Sequence, residues 1–139
     1  MSDKKQYKIS IEGIIGCGKT KLLKYLENIK EVEVVPEPVE NWKNWHGENI
    51  LDFFYRNPRE NSFVFQNITL QTTAEVLGRK SNQKFMISER SPHSAHLFAT
   101  NLRRMEFLSK QEFSALADWY KLLCKNMNLN VDLIVYIKT

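Results

Sequence analysis

The sequence contains few cysteines, few glycines and no long hydrophobic run. Its two cysteines, Cys17 and Cys124, have no second cysteine or histidine at metal-ligand spacing, which argues against a disulfide framework or a zinc motif. Apolar runs reach only about five residues, too short to span a membrane. Residues 1–8 lack the apolar core of a secretory signal. We therefore expect a cytoplasmic protein without a membrane partner.

Charge of one sign is not concentrated anywhere in the chain. There are 20 Lys and Arg residues against 16 Asp and Glu, a net charge of +4. No run of like charges and no nucleic-acid-binding signature is present, so we expect no nucleic-acid partner. A mildly basic surface, or attraction for an anionic ligand, accounts for the charge. The length of 139 residues and the 42% hydrophobic content suit one domain with one core, residues 1–139.

The scarce glycines are clustered. Three of the five lie within six positions, in the stretch GIIGCGKT, which fits the pattern G-x-x-x-x-G-K-S/T. Glycine permits backbone conformations in which successive amides curl around a phosphate. Lys19 is expected to reach the outer phosphates and the Thr20 hydroxyl to ligate Mg²⁺. The predicted nucleotide-binding residues are Gly13, Ile14, Ile15, Gly16, Cys17, Gly18, Lys19 and Thr20.

Predicted strands and helices alternate along the chain. Strands are predicted at 7–12, 32–35, 84–88 and 131–137, and a loop at 36–47. Helices are predicted at 18–30, 48–56 and 62–80, after an N-cap at Ser91, and after a capping box from Ser109 to Glu112. The apolar run 131–137 is typical of a strand covered on both faces. The alternation predicts an α/β fold, a three-layer P-loop type with a mostly parallel sheet.

Charged and aromatic residues follow three of the predicted strands. Lys19 follows the first strand, Glu37 and Trp42 the second, and Glu89 and Arg90 the third. Each alone suits a surface acid, a surface ion pair or a core aromatic. Open parallel sheets bind ligands at the carboxyl ends of their strands. Together, these residues therefore predict one site at that edge of the sheet.

Four stretches in order resemble the deoxynucleoside kinase family: ISIEGIIGCGKT, EPVENW, FYRNPRENSFVFQ and ERSPHSAHLFATN. The resemblance covers residues 9–138 and implies transfer of a phosphoryl group from ATP to the 5′-hydroxyl of a deoxynucleoside. It makes Glu37 the general base, in contact with the substrate hydroxyl. Arg90 would hold the 5′ region of the nucleoside and neutralise charge on the transferring group. Glu89 would place Mg²⁺ together with Thr20.

The same resemblance assigns residues to the nucleoside. Gln66 would pair with the base edge, Tyr55 would bond the 3′-hydroxyl, and Trp42 and Phe98 would line the base. Ala95 would leave room for a 5-methyl group, which favours a pyrimidine and includes thymidine. Core positions for Tyr55 and Phe98 remain an alternative. SAHLFATN is one residue shorter than the family's segment, so the assignments of Ala95 and Phe98 depend on where the gap lies.

Family members continue past the last predicted strand into an arginine-rich lid. We therefore expect residues 1–139 to be the N-terminal portion of such a kinase, without the lid. Two alternatives stay open: a nucleotide-binding remnant without catalysis, and a nucleoside monophosphate kinase. The family also implies a possible homodimer through the helices near 92–104 and 110–128. We expect His93 to be an exposed helix residue.

Overall fold

The computed structural model describes residues 5–14 and 16–138. Its single sheet has four strands, all parallel, in the order β2-β3-β1-β4. The strands are β1 (Tyr7–Gly13), β2 (Val32–Val35), β3 (Phe85–Glu89) and β4 (Leu133–Ile137). The α/β fold class and the parallel sheet predicted from the sequence are confirmed.

Within the part of the chain that the structure describes, six helices connect and cover these strands. They are α1 (Lys19–Leu26), α2 (Val39–Lys43), α3 (Ile50–Arg56), α4 (Pro58–Gly78), α5 (Pro92–Arg104) and α6 (Lys110–Asn126). The short helix α2 lies inside the predicted loop 36–47. Among the residues that the structure describes, no helix combines the length and the apolarity needed to cross a membrane.

Side-chain caps set the starts of the long helices. The side chain of Asn57 accepts a hydrogen bond from the Glu60 amide, and α4 therefore begins at Pro58, four residues before the predicted start. The predicted caps at Ser91 and Ser109 are confirmed, and each forms a reciprocal capping box. Such caps satisfy amides that the first turn leaves without partners.

The sheet separates two helical layers. Ile11 and Ile87 pack with Leu23 of α1 on one face, whereas Met86 packs with Leu77 of α4 on the other. The three-layer arrangement follows from this alternation of side chains across the strands. The helix predicted at 18–30 is shorter in the structure, because α1 ends at Leu26 and Ile29 is exposed.

The polar face of β1 is buried beneath the second helical layer. Ser10 is fully buried and Lys8 is 4% exposed. The ammonium group of Lys8 donates to the carbonyl oxygens of Leu77 and Asn128, at 2.7 and 2.8 Å. Burial lowers the pKa of Lys8, and the carboxylate of Asp132 partly offsets that effect. The lysine thereby joins β1 to the end of α4 and to the chain before β4.

The prediction that 131–137 is covered on both faces is wrong. β4 pairs with β1 at the edge of the sheet, and Leu133, Ile134 and Tyr136 are each more than half exposed. A continuous apolar run favours a strand in the sequence. It does not report which neighbouring elements cover that strand.

The expectation for His93 is also wrong, because its ring lies between α5 and α6. Its Nε2–H donates to the carbonyl oxygen of Leu129 at 2.8 Å. A carbonyl oxygen can only accept, so Nε2 carries the proton and Nδ1 accepts from the Tyr120 hydroxyl. His93 therefore connects α5 to α6 and to the segment that follows α6.

Candidate active site

The strand order creates a crevice between β1 and β3. From β1 the chain passes over β3 to reach β2, whereas from β3 it passes over β1 to reach β4. The two connections leave in opposite directions, and ligands of open α/β sheets bind at such a switch point, outside the carboxyl ends of the strands. Those ends are Gly13 and Glu89.

The glycine-rich loop follows β1 and opens α1. Gly16 and Gly18 have φ values of +82° and +99°, where a side chain would be strained, and Gly18 is the N-cap of α1. Lys19 is 5% exposed, and its ammonium group donates to the carbonyl oxygens of Gly13 at 3.0 Å and Ile14 at 2.8 Å. Ile15, predicted to bind nucleotide, lies outside the described residues.

An acid and a base face each other at the carboxyl end of β3. Nε of Arg90 lies 3.6 Å from Oε1 of Glu37. Arg90 has a φ of +64°, uncommon for a residue with a side chain and a sign of local strain. Its amide donates to the carbonyl oxygen of Ile11 at 3.0 Å, which fixes the strained residue against β1.

The environment of Glu37 favours its protonated form. Burial raises the pKa of the Glu37 carboxyl group above its ordinary value. The nearby charge of Arg90 works against that rise, and the carboxylate of Glu89 adds to it. A carboxylate with a raised pKa is a stronger proton acceptor, which suits general base chemistry.

Two side chains that carry oxygen atoms, Thr20 and Glu89, lie beside Glu37 and Arg90. The Thr20 hydroxyl donates to Oε1 of Glu89 at 3.3 Å, and the Glu37 amide is 3.5 Å from Oε2 of the same carboxylate. Mg²⁺ prefers oxygen ligands and is often held by one or two protein groups together with phosphates. Within residues 5–14 and 16–138, no cluster of three or more His, Cys, Asp or Glu residues could hold a metal ion.

These groups line a single cleft of about 340 Å³. It brings together the three predicted catalytic residues, both predicted metal ligands and part of the glycine-rich loop. The lining residues are Gly16, Gly18, Lys19, Thr20, Lys21, Glu37, Glu89 and Arg90. Lys21 was missed in the sequence, although its position directly after the motif, at the start of a helix, was the available signal.

A sequence profile of the family described as Deoxynucleoside kinase matches residues 9–139. The chain belongs to the deoxynucleoside kinase family. The chain is 34% identical to human "Thymidine kinase 2, mitochondrial" over 143 aligned positions, covering 99% of this chain and 54% of the relative. It is 33% identical to a probable deoxycytidine kinase of Fowlpox virus, over 95% of this chain and 56% of that protein.

Human deoxycytidine kinase is a more distant relative. It is 29% identical to this chain in an alignment that covers 94% of this chain and 60% of that kinase. The chain thus spans little more than half the length of these curated relatives. The P-loop type of fold expected for this family agrees with the parallel sheet and the glycine-rich loop.

A second residue missed in the sequence supports the cleft from β1. One carboxylate oxygen of Glu12 accepts from the Ser10 hydroxyl at 2.7 Å and from the Ser91 hydroxyl at 3.4 Å. Ser91 directly follows Arg90 and caps α5. Glu12 therefore connects β1 to the segment that holds Arg90.

The residues predicted to bind the base and the 3′-hydroxyl lie outside the lining of this cleft, whereas Glu37 and Arg90, also predicted to contact the substrate, belong to it. Trp42 is buried, with its ring edge against Phe65, and its indole N–H donates to the Thr72 hydroxyl at 2.9 Å. Gln66, in α4, is 2% exposed. The core around them contains Phe54 stacked on Phe65. Contact of Trp42 and Gln66 with a base stays a prediction.

The remaining nucleoside residues are more accessible. Tyr55 is 67% exposed on α3 and Phe98 is 40% exposed on α5, so neither is a core residue. Ala95 is half-buried on α5. Their predicted roles at the 3′-hydroxyl and the base stay predictions.

Proposed function

We propose that the chain is the phosphate-binding portion of a kinase that phosphorylates the 5′-hydroxyl of a deoxynucleoside with ATP. The observation that carries the proposal is the contact between Glu37 and Arg90, 3.6 Å apart, in a cleft that Lys19 also lines. A proton acceptor and two cations around one cavity are what phosphoryl transfer to a hydroxyl group requires.

The proposed reaction uses these three residues in two roles. Glu37 accepts the proton of the 5′-hydroxyl as its oxygen forms a bond to the γ-phosphorus of ATP. The bond from that phosphorus to the bridging oxygen breaks, and ADP leaves with the electron pair. Arg90 and Lys19 balance the negative charge on the transferring group.

Thr20 and Glu89 fit a magnesium ion in this proposal. Their hydroxyl and carboxylate oxygens are adjacent and line the cleft. When bound, Mg²⁺ would neutralise charge on the ATP phosphates and help to orient them. Few protein ligands are needed, because Mg²⁺ retains waters and takes phosphate oxygens.

A pyrimidine deoxynucleoside, thymidine included, is the proposed acceptor. The relatives are named thymidine kinase and deoxycytidine kinase, and both names refer to pyrimidine nucleosides. The amide of Gln66 can donate and accept at once, as pairing with a pyrimidine edge requires. Ala95, with its small side chain, leaves space for a methyl group at that edge.

Compartment and assembly form part of the same proposal. A cytoplasmic, reducing location suits the free thiols of Cys17 and Cys124. A homodimer through α5 and α6 suits the exposed apolar side chains of Leu97 and Leu122. Sedimentation measurements across a concentration series would show whether the chain is a dimer or a monomer.

The deciding experiment measures turnover of thymidine, deoxycytidine, deoxyadenosine and deoxyguanosine with ATP and Mg²⁺. We expect the highest kcat/KM for a pyrimidine and a loss of about 10²–10⁴-fold in Glu37→Gln. Glu40→Gln is the matched control, because Glu40 is an exposed acid three residues away.

Three results would contradict the proposal in different ways. A clear purine preference would overturn the choice of substrate. ATP binding without Glu37-dependent turnover would favour a nucleotide-binding remnant. Phosphorylation of a nucleoside monophosphate, but not of the nucleoside, would favour a monophosphate kinase.

A further inference from the structure

The three cations that line the cleft differ in their existing partners. The ammonium group of Lys19 is buried and donates to two loop carbonyl oxygens. Arg90 faces the carboxylate of Glu37. Lys21 is exposed, and within residues 5–14 and 16–138 it has neither a salt bridge nor a side-chain hydrogen bond. Of the three, Lys21 is the cation whose charge is already available to a ligand.

Lys21 also gives the lining of the cleft its net positive charge. The lining contains three cations, Lys19, Lys21 and Arg90, and two acids, Glu37 and Glu89. The difference is one positive charge, and without Lys21 the lining would be neutral. A cleft that holds a polyphosphate needs an excess of positive charge, because clefts concentrate the field of the charges that line them.

We propose that Lys21 binds the polyphosphate of the nucleotide directly, as a second lysine beside Lys19. This inference rests on the proposed function of the cleft. Lys21 is the third residue of α1, so its side chain starts within the first turn, where free backbone amides also favour an anion. Its four-carbon stem and three donors let it follow a phosphate group without fixed geometry.

The test compares two lysines of the same helix by calorimetric titration. Lys24 is exposed, lies on α1 one turn further on, and does not line the cleft. We expect Lys21→Gln to weaken the binding of ATP and of inorganic tripolyphosphate by about tenfold, the effect of one charge-assisted contact. Lys24→Gln should stay within about twofold of the unmodified protein.

Salt dependence gives a second readout. If Lys21 contacts phosphate, its removal should make ATP affinity fall less steeply as NaCl is raised, because fewer charge contacts remain to be screened. Thermal unfolding of each variant checks the fold, which an exposed lysine is expected to leave unchanged. Equal affinities of Lys21→Gln and Lys24→Gln would overturn the proposal.

A third variant, Lys19→Gln, separates this inference from the proposed function. If Lys19→Gln weakens ATP binding and Lys21→Gln does not, the cleft binds nucleotide and the role of Lys21 is wrong. If the unmodified protein binds neither ATP nor tripolyphosphate, both the proposed function and this inference fail.

Discussion

Nε of Arg90 and Oε1 of Glu37 are 3.6 Å apart, close enough for an ion pair and too far for a hydrogen bond. Nε is buried and has no hydrogen-bond partner among the described residues. An uncompensated donor in a low-dielectric site attracts an acceptor strongly. A hydroxyl group that approaches this pair would therefore find a hydrogen-bond donor in Arg90 and a proton acceptor in Glu37.

Arg90→Lys should lower kcat with ATP and a pyrimidine deoxynucleoside by about 10²–10³-fold. In the present structure, a terminal nitrogen of the Arg90 guanidinium group lies 3.5 Å from the carbonyl oxygen of Gly13. A lysine keeps the positive charge but lacks the planar group that reaches both this oxygen and Glu37. Steady-state turnover is the measurement. Arg56→Lys is the control, because Arg56 pairs with Glu48 on the surface. Similar losses of kcat in the two variants would show that Arg90 has no specific role in the reaction.

Trp42→Phe should lower the free energy of unfolding by about 2 kcal/mol, through lost packing and the lost hydrogen bond to Thr72. Urea unfolding at neutral pH is the measurement. Thr72→Val removes only the partner and leaves the indole N–H buried and unpaired, which also costs about 1–3 kcal/mol.

Nucleoside affinity separates the structural role of Trp42 from its predicted contact with the base. Thr72→Val leaves the indole ring of Trp42 in place, whereas Trp42→Phe replaces it with a smaller ring. If both variants lose the same stability but only Trp42→Phe loses thymidine affinity, the ring touches the base. Unchanged unfolding energies in both would contradict the buried hydrogen bond.

Acidification should destabilise the protein through His96. Its ring is parallel to that of Tyr120 at 4.5 Å between centroids, and burial lowers the pKa of His96 below 6.5, helped by the nearby charge of Lys121. The unfolded chain then binds the proton more readily than the folded chain does. The stabilisation is fully present above about pH 6.5 and is lost as the pH falls from there through the lower pKa of His96 in the folded protein.

Urea unfolding at pH 5.0 and pH 7.5 checks the role of His96. The unmodified protein should lose more stability between the two values than His96→Gln does. His46→Gln is the comparison, because His46 is exposed in the loop before α3. A larger effect of His46→Gln than of His96→Gln would contradict the prediction.

Local rules predicted the parts of this fold that local chemistry controls. The glycine spacing located the loop around Gly16 and Gly18, and the capping residues Ser91 and Ser109 located two helix starts. These features depend on a few neighbouring residues, whose conformational preferences do not need the rest of the chain. The meeting of Glu37 and Arg90 was predictable because carboxyl ends of parallel strands share one edge.

Burial could not be predicted in the same way. The exposure of Tyr136 and the burial of Ser10 depend on which helices cover each strand, and those helices lie far away in the sequence. The sequence also does not reveal that β3 lies between β1 and β2. The position of Lys21 directly after the motif was a signal in the sequence, but its place in the lining of the cleft, which Lys24 does not share, is visible only in the structure.

The central position of β1 has a consequence for synthesis. Tyr7 pairs beside Phe85 and Ile9 beside Leu133, so β1 leaves the ribosome well before either of its two neighbours in the sheet. Pairing over such separations closes long loops and is slow. Until β3 and β4 have also emerged, the nascent chain therefore carries β1 as an unpaired, partly apolar strand, and such strands are prone to aggregate.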